Sequence, residues 1–457
     1  MKPGSGFRGF NFIFDKCGLF NGLGELMRIT YIHQYFNTPD MSGGTRSYEM
    51  ARRLVDKGHQ VNMITSWRHN DVKTSPFETV EDGITVHWAP VPYSNYMSYR
   101  QRINSFLQFV VSAGRKAASL PSDLILATST PLTIALPAVY AARRHSVPMV
   151  FEVRDLWPEL PIAIGALKNP VWQHSARWLE RWAYRNSEAV IALSPGMRDG
   201  VCRTGYPSDR VAVIPNSSDN DLFHAATRSG AAFRRARAWL GERPLIVYAG
   251  SFGRINGAGY LVDIAARLLK TAPDIRILLV GDGQERTKII EKAKALGVYE
   301  TNLFLEDPVT KREMPDVLAA ADLACSLFVD LPEMQANSAN KFFDALASGT
   351  PVLLNYGGWH AELVTREQAG LVVWGKSTEE AVAQIVSSLR DQVWMREAGE
   401  NARATAERLF DRDVLANQLE HVLVMAYERQ GNRVATIKAP SETSAPAPMS
   451  TAGPRQA

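Results

Sequence analysis

Cysteine is scarce in this chain: three residues in 457, Cys17, Cys202 and Cys325, far apart and in no metal-ligand spacing. Disulfides are therefore not expected, and a reducing cytoplasm is the expected compartment. Long hydrophobic runs are also missing. The longest weakly polar stretch, Pro131 to Ala142, is about a dozen residues, short of the ~20 that a membrane-spanning helix needs. Neither sign of charge dominates. A net charge of +4 is mild for this size, and with no RNA- or DNA-binding motif it gives no case for nucleic acid as a partner. The first 26 residues lack the continuous apolar segment and small-residue cleavage site of a signal peptide. They read as an N-terminal extension, or as an upstream choice of start, before Met27, where the first strand begins. The tail 431–457 is rich in Pro, Ala, Ser and Thr and is expected to be disordered.

What is present is a regular alternation of short apolar strands and amphipathic helices, the pattern of parallel sheets covered on both faces. Strands are expected at 28–36, 60–66, 84–90, 123–129, 148–154, 189–194 and 210–216. After a polar passage, SSDNDLFHAATRSG, the alternation restarts at 244–250, 275–281, 302–307, 323–328, 352–355 and 371–374. A chain this long exceeds one ordinary core. It divides into a first doubly wound half at 27–220, a second at 221–412, and a last helix at 413–430 crossing back to the first half.

The densest chemistry lies in NSANKFFDALASGTPVLLN, residues 337–355. It reads as a helix over 339–348, stopped by Gly349 and followed through Pro351 by a buried strand. Lys341, Asp344 and Ser348 share its polar face. A lysine in the first turn opposes the helix dipole unless an anion is bound there. A carboxylate one turn later suits sugar hydroxyls. The pair suggests a diphosphate and a ribose at the C-terminal edge of a sheet; a merely solvated helix face is the alternative.

Three further clusters occupy strand ends. Gly43 and Gly44 precede a helix and either let the backbone approach a ligand or form an ordinary strand-to-helix turn, without the GxGxxG spacing of a NAD site. Arg154 and Asp155 follow the strand VFEV, either as site residues or as a pair that fixes the loop. The segment YAGSFGRINGAGYL, from Tyr248, sets Gly250, Gly253 and Gly257 before a helix as a phosphate cradle. Arg254 within it can hold two phosphate oxygens at once; an exposed turn arginine is the alternative.

Together these residues resemble the family 4 retaining glycosyltransferases, over about 400 of the 457 residues. The resemblance implies the GT-B fold, an α/β architecture of two doubly wound Rossmann-like domains facing across a cleft. It implies sugar transfer from a nucleotide-diphosphate donor, UDP-linked for preference, with retention and without a metal or other cofactor. Lys341–Asp344–Gly349–Pro351 fits the nucleotide half of the family pattern. Three departures stand beside it: Arg154 where many members have His, Ser251 and Asn256 where an Arg/Lys pair is common, and Ala336 in place of the first of two glutamates. By resemblance the donor meets Gly43, Gly44, Ser251, Arg254, Asn256, Lys341 and Asp344, with Arg154 and Asp155 at the reacting centre. The run RDLWPE resembles a subgroup of bacterial cell-surface polysaccharide assembly, which implies a saccharide acceptor on a polyprenyl diphosphate at the inner membrane face. An epimerase of the same fold and a silent nucleotide-binding scaffold are the rival readings. Finally, Arg177, Trp178, Arg181, Trp182, Tyr184 and Arg185 recur along one helix, as core residues or as a peripheral contact with an anionic membrane.

Overall fold

The computed structural model describes residues 26–438, apart from 42, 69–72, 95–96 and 224–229. The expected extension, but for Leu26, and the tail from 439 onward lie outside the described residues.

Two sheets carry the fold. The first has eight strands: β1 (Arg28–Ile32), β2 (Gln60–Ser66), β3 (Phe77–Glu81), β4 (Ile84–Ala89), β5 (Leu124–Thr128), β6 (Met149–Val153), β7 (Ala189–Ala192) and β8 (Val211–Val213). Their order is β3-β4-β2-β1-β5-β6-β7-β8, parallel throughout except for β3. The second has six, all parallel: β9 (Leu245–Ala249), β10 (Arg276–Val280), β11 (Leu303–Glu306), β12 (Leu323–Ser326), β13 (Val352–Leu354) and β14 (Gly370–Val372), in the order β11-β10-β9-β12-β13-β14. Strands such as LILAT and LIVYA are buried on both faces, as a parallel sheet between helices requires.

The strand order reverses beside β1 in the first sheet and beside β9 in the second. Crevices therefore open at the C-terminal ends of β1, β5 and β6, and of β9 and β12. One face of the first sheet is covered by the helices Tyr99–Ser119, Ala135–His145 and Pro170–Arg185. The other is covered by Arg46–Asp56 and the last helix, Arg412–Lys438, which packs on β6 and on Arg46–Asp56 and brings Leu415, Leu419 and Leu423 into one core with Val150, Ile29 and Met63. The last helix continues past the expected end to Lys438. No proline interrupts 430–438, and Pro440 follows, so helix propensity carries eight residues of the expected tail into regular structure.

The chain passes between the sheets twice, and the two crossings touch. Ser218 and Asp411 form an isolated parallel bridge, and the Arg412 guanidinium donates to the Ser217 carbonyl at 2.7 Å. Buried ionic pairing holds the first crossing: Arg46 meets Glu152 at 2.9 Å and donates to the carbonyls of Ile214 and Pro215.

Candidate active site

The first wall of the cleft is built at the end of β1. His33 is buried, with Nδ1 2.7 Å from Ser47 Oγ and Nε2 3.3 Å from Arg154 Nη1. Burial, and then the charges of Arg154 and Arg68, hold its pKa well below 6.5, so the imidazole is neutral. A guanidinium can only donate, so Nε2 accepts and Nδ1–H is assigned as donor to Ser47. Arg154 is further fixed by its backbone N–H, which donates to Ser129 Oγ at 3.1 Å. No ion pair joins Arg154 to Asp155 among the described residues. Asp155 is instead pushed up to about 6 by burial, with the Arg154 charge acting the other way.

Gly43 and Gly44 close this wall. Gly43 has φ +118°, and a Cβ on it would lie 2.8 Å from Asn37 Nδ2; a Cβ on Gly44 would lie 2.4 Å from Asn340 Nδ2 and 3.7 Å from Arg154 Nη2. Gly44 is thus where the first domain meets the helix Asn340–Ala347 of the second.

Across the cleft, the loop after β9 carries Ser251, Arg254 and Asn256. The Ser251 carbonyl accepts from Tyr248 OH at 2.9 Å and from Asn256 Nδ2 at 2.8 Å. Asn256 therefore shapes the loop, its amide already spent on the backbone. Arg254 is exposed and has no hydrogen-bond or ion-pair partner among the described residues. Lys341 reaches the same loop from the helix. Its Nζ lies 3.2 Å from Tyr248 OH, 4.7 Å over the Tyr248 ring and 4.8 Å over that of Phe328. No carboxylate pairs with it among the described residues, and burial lowers its pKa to about 7. An ammonium desolvated between two ring faces, beside a glycine-rich turn, is left without the counter-charge that burial calls for.

Asp344, expected to share a nucleotide with Lys341, engages other partners. Its Oδ1 accepts from Ser218 Oγ at 2.7 Å and from Lys311 Nζ at 2.5 Å. A carboxylate this buried needs a cation, and Lys311 supplies it at the crossing between the domains. Open presentation of Asp344 to a ribose is corrected accordingly: only Oδ2 is uncommitted. Ala336 is likewise an interdomain contact. Its carbonyl accepts from Ser194 Oγ at 2.5 Å, and a Cβ on Gly196 would stand 2.8 Å from the Ala336 Cβ. A glutamate at 336 would have to displace that packing. The sequence gives no sign of His33, because 28–36 reads as one uninterrupted strand, nor of Lys311, whose loop position carries no signal.

Residues 43–217 match the model of the glycosyl transferase 4-like domain, and residues 243–391 that of the glycosyl transferases group 1. The chain belongs to the GT-B glycosyltransferases. Within this family the chain is 29% identical over 265 residues to the alpha-maltose-1-phosphate synthase of Mycolicibacterium smegmatis, covering 54% of this chain and 65% of that protein. The chain spans a little under two thirds of the length of the first curated relatives it matches. Among solved GT-B structures it is similar to sucrose-phosphate synthase from Thermosynechococcus elongatus, with TM-score 0.70, 19% identity, and coverage of 89% of this chain and 99% of that one. HepE of Anabaena, solved with UDP and glucose, gives TM-score 0.63 at 18% identity over 87% of this chain and 99% of its own.

Proposed function

We propose that this GT-B protein transfers a sugar from a nucleotide-diphosphate sugar, UDP-linked for preference, to a saccharide acceptor, with retention and without a bound metal. The observation that carries the reading is Lys341, a desolvated ammonium with no carboxylate partner at the mouth of the Gly250 loop. A leaving diphosphate would complete its pairing, and the exposed Arg254 of the same loop adds a second cation. UDP in the HepE structure supports the choice of base.

In this reading Arg154, held by neutral His33, faces the developing charge of the leaving group. Asp155 orients a hydroxyl of the sugar or acceptor. Contact between Gly44 and Asn340 lets the two halves close and exclude water, which limits hydrolysis of the donor. The RDLWPE run at the β6 end supports a polyprenyl-diphosphate-linked saccharide as acceptor, in cell-surface polysaccharide synthesis.

A silent nucleotide-binding scaffold is the second reading, favoured by one observation: position 336 packs on Gly196 and carries no carboxylate. Calorimetry with UDP, GDP and ADP tests the donor site, and acceptor-dependent release of nucleotide from a nucleotide sugar tests transfer. Binding without acceptor-dependent release favours the scaffold, release without acceptor favours an epimerase or hydrolase, and no binding removes the donor site altogether.

A further inference from the structure

The helices Tyr99–Ser119, Ala135–His145 and Pro170–Arg185 lie side by side over one face of the first sheet. Their outward charge is one-sided. They carry nine Lys or Arg and a single acid, Glu180. Glu180 is buried and accepts from Tyr184 OH at 3.2 Å. Burial, followed by the nearby Glu159, pushes its pKa up to about 8, which leaves it uncharged at neutral pH. Arg115, Arg143, Arg144, Arg177, Arg181 and Arg185 are exposed. By contrast, the helix Arg46–Asp56 on the opposite face interleaves Arg52 and Arg53 with Glu49 and Asp56 in ion pairs.

The same three helices expose apolar bulk. Of thirteen large hydrophobic side chains exposed among the described residues, seven sit here. Ile103, Leu107 and Val111 recur at one-turn spacing along the first helix, Tyr140 stands on the second, and Val171, Trp172 and Trp178 on the third. Trp172 is 65% exposed and Trp178 59%. Leu107 and Val111 also border an open groove of about 830 Å³ floored by Ile64, Phe77 and Trp88. Of the basic and aromatic residues that recur along the third helix, Tyr184 is core and Trp182 is half-buried, whereas Trp178 and the three arginines face outward.

We propose that this three-helix face is the docking surface for an anionic lipid bilayer. Indole and phenol rings beside arginines are the chemistry of the membrane–water interface, where the rings sit at headgroup depth and the cations meet lipid phosphates. Apart from Lys116, which pairs with Glu78 of β3 at 2.8 Å, the outward charge is positive and matches an anionic leaflet, with each cation near the surface adding to the attraction. The last helix lies on the opposite face of the first sheet, so docking leaves it free. The inference does not depend on the donor chemistry.

Flotation of the full chain with vesicles tests it. Vesicles of phosphatidylcholine with roughly 30% phosphatidylglycerol should carry the protein, and phosphatidylcholine alone should not. Arg177→Glu/Arg181→Glu should weaken partitioning at least ~25-fold, about fivefold for each lost cation. Trp172→Ser/Trp178→Ser should also release the protein. All four positions are exposed, and an unchanged melting midpoint with unchanged calorimetry for UDP separates a docking defect from a folding or donor-site defect. Protein that stays unbound with anionic vesicles overturns the proposal and leaves the face to an acidic protein. Equal flotation with uncharged vesicles, or with both variants, overturns it as well.

Discussion

Replacing Lys341 by methionine should make the protein more stable and less able to bind donor, and both effects can be sized. The lysine sits at about 7 instead of its ordinary 10.5 because burial penalises the ammonium. Between those values the folded chain holds fewer protons than the unfolded chain, so stability rises with pH through that window. The cost is present in full below about 7. At ~1.36 kcal/mol per pH unit it is on the order of 5 kcal/mol. Methionine keeps the aliphatic contacts with Tyr248 and Phe328 without the charge. Lys341→Met should therefore raise the melting midpoint at pH 6.5 by roughly 2–4 °C for each kcal/mol recovered. Donor binding supplies the missing anion and returns the lysine towards its ordinary value. A nucleotide sugar, whose diphosphate is esterified at both ends, does not itself titrate here. Calorimetry in buffers of differing ionisation enthalpy should then show uptake of about half a proton at pH 7 and roughly 0.9 at pH 8. Affinity should fall towards tenfold per pH unit above about 7. The variant should show no uptake and bind about 10- to 150-fold more weakly at pH 6, the worth of a charge-assisted hydrogen bond. Proton uptake equal in both proteins, or an unchanged affinity, would refute the assignment of Lys341 to the diphosphate.

Three other outcomes follow from the same geometry. Asp155, at about 6, should give kcat/KM an acid limb that falls tenfold per pH unit below that value; the residual activity of Asp155→Asn should lack the limb. Lys311→Met leaves the Asp344 carboxylate buried and unpaired and should destabilise the fold by about 3–5 kcal/mol in urea titration, most of which Lys311→Met/Asp344→Leu should restore. Gly44→Val should lower turnover with little change in the melting midpoint, because its side chain meets Asn340 Nδ2; Asn340→Ala in the same chain should recover activity, and failure to do so would remove Gly44 from the closing contact.

The parallel strands were legible because burial on both faces leaves uninterrupted apolar runs, as in LILAT and RILLV. β3 was not, since FETVE is an antiparallel edge strand with alternating exposure and no apolar run. A signal for it existed: Asp82 and Gly83 both have positive φ and form the two-residue turn into β4, a hairpin pair that the sequence displays openly. At the site, Lys341 was readable because a helix-start lysine before Gly349-Thr-Pro351 is a local pattern. The partners that decide its chemistry, Tyr248 and Phe328, are distant in sequence. Asp344 shows the limit of such reasoning. Helical spacing put it on the face of Lys341, but Ser218 and Lys311 arrive from two other segments and claim its Oδ1.

Placement of the last helix on the first sheet has a consequence for synthesis. Val150 of β6 emerges from the ribosome early, yet Leu415, Leu419 and Leu423 of the helix that packs on this strand are translated roughly 260 residues later. At 5–20 residues per second, the roughly 200 residues of the second half impose a wait of about 10–40 s. During that time the part of this sheet face beneath the last helix stays uncovered, with only the helix Arg46–Asp56 in place beside it. The chain therefore completes its first domain only after its second has been made, and a ribosome-bound intermediate halted near residue 400 should be a chaperone client that the released protein is not.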